Sequence, residues 1–319
     1  MEGSNYMEYG KVYLVPTPIG NLKDITLRAL EVLESVDEIA AEDTRQSLKL
    51  LNHFNIKKPL FSYHQHNEQG KSDEIISKLE AGKSIAIVTD AGTPGISDPG
   101  SVVVRKCIEN NISFEVLPGA TAITTALVYS GLDTTKFIFR GFIPRETKER
   151  KILAEEIKDK KETLIFYESP HRLIDTLDYL KQTLGDRNIA VCRELTKLHE
   201  DIYRGTIGEA YNWFLENRPR GEFVLVISGK SESEFRAEKE QELSGITVEQ
   251  HLINLINEGI DKKEAIMRIE PNQLDQLLHP TFEEKSLKEA NIITGYKEGY
   301  YMLYHINEGI FNKCVSFIN

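Results

Sequence analysis

The apolar run Ser84-Ile85-Ala86-Ile87-Val88 passes straight into Thr89-Asp90-Ala91-Gly92-Thr93-Pro94-Gly95-Ile96-Ser97-Asp98-Pro99-Gly100. A short stretch without polar alternation reads as a strand buried on both faces, which demands a parallel sheet covered by helices. The loop that follows combines glycines, prolines and two aspartates with no lysine or arginine. Glycine admits close backbone approach to a ligand, and proline fixes the loop's shape. Open α/β sheets bind small molecules at such strand ends. Carboxylates without cations do not suit a polyphosphate. They suit a ligand with a positive centre, or hydroxyls to be held.

The rest of the first half agrees with that frame. Strands are expected at Lys11–Val15, Ile39–Ala41, Leu60–Tyr63 and Phe114–Leu117. Between them the periodicity predicts helices, among them one capped by Thr26 with Leu27, Leu30, Leu33 and Val36 at helical spacing. Helices are also expected at Arg45–Phe54, Ser72–Leu79, Val102–Glu109 and Ala120–Tyr129. The pattern breaks near Gly131-Leu132-Asp133-Thr134-Thr135. Beyond it, Phe137–Phe142, Thr163–Tyr167, Ile189–Arg193, Asp201–Arg204 and Phe223–Ile227 read as strands of a mixed sheet. A long charged helix separates the first two, and Pro170–Leu184 reads as another, with Ser169 as cap and Pro170 at the first helical position. Glu232–Glu242 reads as a charged linker, and Glu249–Ile256 and Lys263–Ile269 as two short helices. The expected organisation is an α/β domain over 10–131, a second over 132–230, and a small helical tail over 243–319.

Composition narrows the function. No run approaches the roughly 20 apolar residues of a membrane span. The start has no apolar signal region, and Cys107, Cys192 and Cys314 have no disulfide or zinc spacing, so a cytoplasmic protein without a bound metal is expected. Net charge is −11. From Ser231 onward there are 9 basic and 16 acidic residues, so the acidity is concentrated in the tail. Arg140 to Lys161 instead holds 8 basic and 5 acidic residues. That stretch reads either as a solvated helix face or as a phosphate-contacting patch. Gly82, Gly70 and Gly229 each open a Gly-Lys-Ser triplet, but the residues five earlier are Ser77, Gln65 and Val224, which excludes a P-loop. The first strand leads into Val15-Pro16-Thr17-Pro18-Ile19-Gly20-Asn21-Leu22, not a dinucleotide fingerprint.

Other strand ends carry chemistry. Thr17–Leu22 and Leu117-Pro118-Gly119-Ala120-Thr121-Ala122 are stiff strand-to-helix loops. Glu42-Asp43-Thr44-Arg45 suits either a capped helix with a salt bridge or a site. Glu168-Ser169-Pro170-His171-Arg172 gathers a polar trio that capping alone does not explain. His64 and His66 share one strand face but lack the further ligands of a zinc set.

In order along the chain, T-P-I-G-N-L at Thr17–Leu22, E-D-T-R at Glu42–Arg45, D-A-G-T-P-G-I-S-D-P-G at Asp90–Gly100, P-G at Pro118–Gly119 and E-S-P-H-R at Glu168–Arg172 resemble one family. It is the family of small-subunit ribosomal RNA methyltransferases that modify a cytidine 2′-hydroxyl, a branch of the tetrapyrrole methylase superfamily. The likeness runs from about Lys11 to Gly229. It implies a two-domain tetrapyrrole-methylase-like fold that holds S-adenosylmethionine without a metal. It implies donor contacts from Pro16, Thr17, Pro18, Asp90, Ala91, Gly92, Thr93, Ser97, Thr121, Ala122, Tyr167, Arg193 and Thr206. Glu168, Asp43 and His171 are the catalytic candidates, with His64 as a further possible base. Arg45, Arg145 and Arg172 are the RNA-binding candidates. The implied partner is 16S ribosomal RNA within the small subunit, and the implied assembly is a homodimer.

The tail departs from the family's lysine-rich helices: 271–319 is acidic or neutral and carries Tyr296, Tyr300, Tyr301 and Tyr304. Two rival readings remain: a tetrapyrrole C-methyltransferase with the same fold, and a non-catalytic ribosome-binding factor. The E-D-T-R and E-S-P-H-R motifs favour RNA over the first. The intact Asp90–Gly100 loop argues against the second.

Overall fold

The computed structural model describes residues 9–243, 254, 257–260, 293–298 and 301–306. The first unit ends at Ser231 and contains two five-stranded sheets.

The first sheet is wholly parallel, in the order β3 (Leu60–Ser62), β2 (Glu38–Ala41), β4 (Ile85–Val88), β1 (Val12–Leu14), β5 (Phe114–Val116). Alternate side chains of the β4 run enter opposite cores. Ile85 and Ile87 meet α3 (Glu68–Glu80) and α4 (Ser101–Glu109), whereas Ala86 and Val88 meet the side of α1 (Leu27–Ser35) and α2 (Thr44–His53). All four are buried, which is why this strand carries no polar residue. Thr26 caps α1, its hydroxyl accepting from the Ala29 amide. The connection after β1 leads one way along the sheet and that after β4 the other. The two loops therefore meet at a topological switch point.

The second sheet runs β6 (Phe137–Phe142), β7 (Thr163–Glu168), β10 (Phe223–Ile227), β8 (Asn188–Arg193), β9 (Asp201–Thr206), with only β6 and β7 parallel. One face packs on α6 (Thr147–Ile157), α7 (Leu173–Leu184) and α8 (Ile207–Glu216). The other packs on α5 (Ala122–Ser130) through Ile123, Ala126 and Leu127 against Ile165, Ala190, Cys192, Val224 and Val226. The small side chains of α5 let this helix, which leaves the first sheet, lie on the second.

Three local expectations change. Helix α7 begins at Leu173, not Pro170; residues 170–172 form a turn because Glu168 Oε1 accepts from the Ser169 amide and Arg172 Nη2 donates to the Ile143 carbonyl at 2.5 Å. Helix α8 goes unnoticed in the sequence. Its signal is a capping box, with the Thr206 hydroxyl on the Glu209 amide and the Glu209 carboxylate on the Thr206 amide. The expected charged linker is helix α9 (Glu232–Leu243), whose helix-forming composition outweighs its lack of apolar pattern.

In the second unit, β11 (Ile293–Glu298) and β12 (Tyr301–Ile306) form an antiparallel pair where a helical tail is expected. Aromatic and β-branched residues favour an extended backbone there. The expected helix Lys263–Ile269 and most of Glu249–Ile256 lie outside the described residues. Among the described residues, no helix is long and apolar enough to cross a membrane.

Candidate functional site

The carboxyl-end loops of the first sheet face the ends of β6, β7 and β8 and the start of β10. Between them lies a cleft of ≈ 430 Å³. Glu42, Asp90–Thr93, Ile96–Asp98, Thr121 and Ala122 line it from one side. Phe142, Tyr167–Pro170, Cys192, Leu195 and Phe223 are among the residues on the other.

Backbone pairing builds the first wall. Thr17 and Gly92 exchange amide–carbonyl bonds of 2.9 and 3.0 Å, and the Thr17 hydroxyl donates to the Thr89 carbonyl at 3.0 Å. Thr17 is thereby a brace behind the Asp90–Thr93 loop; Pro16, Thr17 and Pro18 do not line the cleft. The loops after β1 and β5 touch so closely that a Cβ on Gly119 would lie 2.5 Å from Pro16 Cβ. Thr93 Oγ1 donates to the Ala120 carbonyl at 3.3 Å, joining the third loop. Ser97 sits at φ 61°, a left-handed conformation rare for serine, and its carbonyl accepts from Gln65 Nε2 at 3.1 Å.

Five carboxylates line the cleft, and three of them, Glu42, Asp90 and Asp98, act on one another. Asp90 Oδ1 accepts from the Asp43 amide at 3.2 Å, and Glu42 Oε2 accepts from the Asp90 amide at 3.3 Å, so each acid is held by the other's loop. Burial raises the pKa of both. Asp98 is pushed up to about 7, first by burial and then by the charges of Glu42 and Asp90. The cation that lines the cleft, Lys197, is engaged at 2.9 Å by each of Glu194 and Glu222. The cleft therefore carries uncompensated negative charge beside Ile19, Ile96, Phe142, Tyr167 and Leu195.

The remaining expected residues divide by location. Asp90, Ala91, Gly92, Thr93, Ser97, Thr121, Ala122, Tyr167 and Glu168 line the cleft. Glu168 has a fully buried side chain, accepting from Thr176 Oγ1 at 2.6 Å and the Ser169 amide at 2.8 Å, with Arg172 Nη1 3.7 Å away. Arg172 also holds the Ile143 carbonyl, which spends its guanidinium on the fold. Asp43 caps α2 and pairs with Arg45 at 2.8 Å; that guanidinium holds its carboxyl down to about 2. Arg193 Nε donates to the Arg220 carbonyl, and Thr206 caps α8, so neither lines the cleft. His171 and Arg145 are exposed outside it. His64 Nδ1 is buried without a hydrogen-bond partner, and His64 acts on Glu42. Glu42 and Asp98, absent from the expected donor contacts, stand in the motifs quoted above.

An acidic, half-apolar cleft at a switch point, facing a mixed second sheet, defines a class of small-molecule-binding α/β enzymes. The comparisons with known proteins identify which. Residues 11–211 match the family described as Tetrapyrrole (Corrin/Porphyrin) Methylases. The ribosomal RNA small subunit methyltransferase I of Bacillus subtilis (strain 168) is 48% identical over 261 residues, 82% of this chain and 89% of that protein. Its Escherichia coli O157:H7 counterpart is 49% identical over 228 residues, 70% and 80% of the two chains. That of Thermotoga maritima is 46% identical over 221 residues, 69% of this chain and 99% of that protein. Among solved structures, a Thermus thermophilus uroporphyrin-III-C-methyltransferase aligns with a TM-score of 0.51 at 21% identity, covering 68% of this chain and 94% of that one. A diphthine synthase aligns at 0.53 and 14%, covering 72% and 95%. These two share the fold. The chain belongs to the tetrapyrrole methylase family and, within it, to the ribosomal RNA small subunit methyltransferase I group.

Proposed function

We propose that this chain transfers a methyl group from S-adenosylmethionine to the 2′-hydroxyl of a cytidine in 16S ribosomal RNA. One observation carries the donor: Glu42, Asp90 and Asp98 converge on a cleft whose remaining surface is largely apolar. S-adenosylmethionine supplies an electrophilic methyl carbon on a sulfonium, and its sulfonium and ammonium charges match these carboxylates. Cleft size also agrees, since small-molecule sites span about 300–1,000 Å³.

The residues then divide the work. Asp90, Ala91, Gly92 and Thr93 present backbone and carboxylate to the donor. Ser97, Thr121, Ala122 and Tyr167 shape the cleft, and Pro16, Thr17 and Pro18 brace it. Glu168 positions the turn that carries His171, whose exposed imidazole is the member of the candidate set free to take the hydroxyl proton. Asp43 orients Arg45 toward RNA phosphate, and Arg145 adds a second contact. In this reading the donor domain is 10–131 and the acceptor domain 132–230. The protein works as a cytoplasmic homodimer on the small ribosomal subunit.

Acceptor identity rests on the group to which the chain belongs, and its test is direct. Purified protein is incubated with methyl-labelled donor and, separately, with assembled small ribosomal subunits and with uroporphyrinogen. Label on a cytidine ribose supports the proposal. Label on the tetrapyrrole, or on neither, defeats it.

A further inference from the structure

Strand β6 contains an irregularity that aims one aromatic ring. Phe139 pairs with Ile165, but Phe142, not residue 141, pairs with Tyr167, so β6 has one extra residue. In an unbroken strand Phe142 would alternate to the face of Ile138, which packs on the α6–α7–α8 core. The bulge, absorbed by Gly141 at φ 65°, returns it to the face of Phe139 and Tyr167. The Phe142 and Tyr167 ring centroids lie 5.7 Å apart at 62°. Phe142 is nevertheless 54% exposed.

This ring borders two spaces. One is the acidic cleft. The other is a groove of ≈ 280 Å³ whose apolar wall is Phe142, Pro144, Leu153 and the 52%-exposed Ile152. Its polar edge is Arg140, ion-paired with Glu156, and Glu149. The edge carries one net negative charge and so disfavours phosphate, and the groove suits a neutral planar group. Cations lie next to it in the chain: Arg145, Lys148 and Lys151 are exposed and have no ion-pair partner among the described residues.

We infer that Phe142 is the stacking platform for the acceptor nucleobase, which occupies this groove while Arg145, Lys148 and Lys151 hold the flanking phosphates. The inference rests on the RNA reading above. The bulge brings one ring to both the donor cleft and the groove. A base stacked on it keeps its ribose close to the cleft. A flat apolar face receives any base, so the platform adds affinity and placement, not base identity.

The test compares Phe142→Ala, Phe142→Leu and Phe142→Tyr in the full chain, with calorimetric donor titration and methyl transfer to small ribosomal subunits. Loss of the ring in the alanine and leucine variants raises the KM for subunits about ten- to a hundredfold. Their donor affinity falls by far less than the KM rises, and an unchanged circular dichroism spectrum reports an intact fold. Tyrosine restores the KM. The inference is overturned if leucine matches wild type, or if donor affinity falls as far as the KM rises, which would make Phe142 a donor contact. Wild-type protein that methylates no RNA would instead overturn the RNA reading itself.

Discussion

Replacing Asp98 by asparagine should make the protein more stable, by an amount that grows as pH rises from about 4 to about 7 and is complete above it. In the folded chain, burial and the neighbouring Glu42 and Asp90 raise this carboxyl from 3.8 to about 7. The full rise is worth about 4 kcal/mol at roughly 1.4 kcal/mol per pH unit. Partial solvent screening of the cleft reduces the figure to about 2 kcal/mol. The sign follows from proton counting. Between pH 3.8 and about 7 the native carboxyl keeps a proton that the unfolded chain has released. Stability therefore falls as pH rises through that window, and the whole penalty is present above it. Asparagine has no such penalty. Urea unfolding of both proteins should show equal stability near the acid end and a gain for Asp98→Asn of about 2 kcal/mol at pH 8. A gain that does not vary with pH, or a loss at pH 8, would refute the electrostatic description of the cleft. The stabilised variant should also bind the donor more weakly, since the strained charge is the one a cationic ligand relieves.

Other outcomes follow from the same geometry. Donor affinity should rise with pH through about 7 as Asp98 ionises, readable by calorimetry at three pH values. Glu168→Ala leaves the Thr176 hydroxyl without its acceptor and the Arg172 guanidinium without its carboxylate counter-charge, and should cost about 3–5 kcal/mol in urea unfolding. Gly119→Val drives a side chain into Pro16 and should abolish donor binding while circular dichroism stays native-like. His171→Gln should lower kcat on small subunits about a hundredfold or more, with donor affinity unchanged.

Much of the fold could be read from the chain because its strands are locally unambiguous. Phe137–Phe142 and Phe223–Ile227 have the same bounds in sequence and structure. Ile85–Val88 announces burial on both faces by having nothing polar in it. Helix α8 is hidden in the sequence because Thr206 stands at a strand end. The glutamate three residues on, which completes the capping box, was the available signal. The start of α7 differs from expectation for another reason. Ser169 and Pro170 have the right local chemistry for a helix start, but the long-range bond from Arg172 to Ile143 holds them in a turn.

The site was harder. The motif loops marked which strand ends mattered, and many of their residues line the cleft. What they could not reveal is orientation. Thr17 turns its hydroxyl backward to Thr89, Arg193 is spent on the Arg220 carbonyl, and Arg172 on Ile143. Glu42 and Asp98 lie 56 positions apart, yet their charges meet, a fact set only by strand order. The bulge that aims Phe142 is likewise invisible until β6 is placed beside β7.

Capture of a sulfonium donor by Glu42, Asp90 and Asp98 is the step on which the proposed methyl transfer depends. It is tested most directly by calorimetric titration of the wild-type chain and Asp90→Ala with S-adenosylmethionine in metal-free buffer. Wild type should show saturable, one-site binding and the variant none. A flat wild-type titration, or equal affinity in the two, would contradict it.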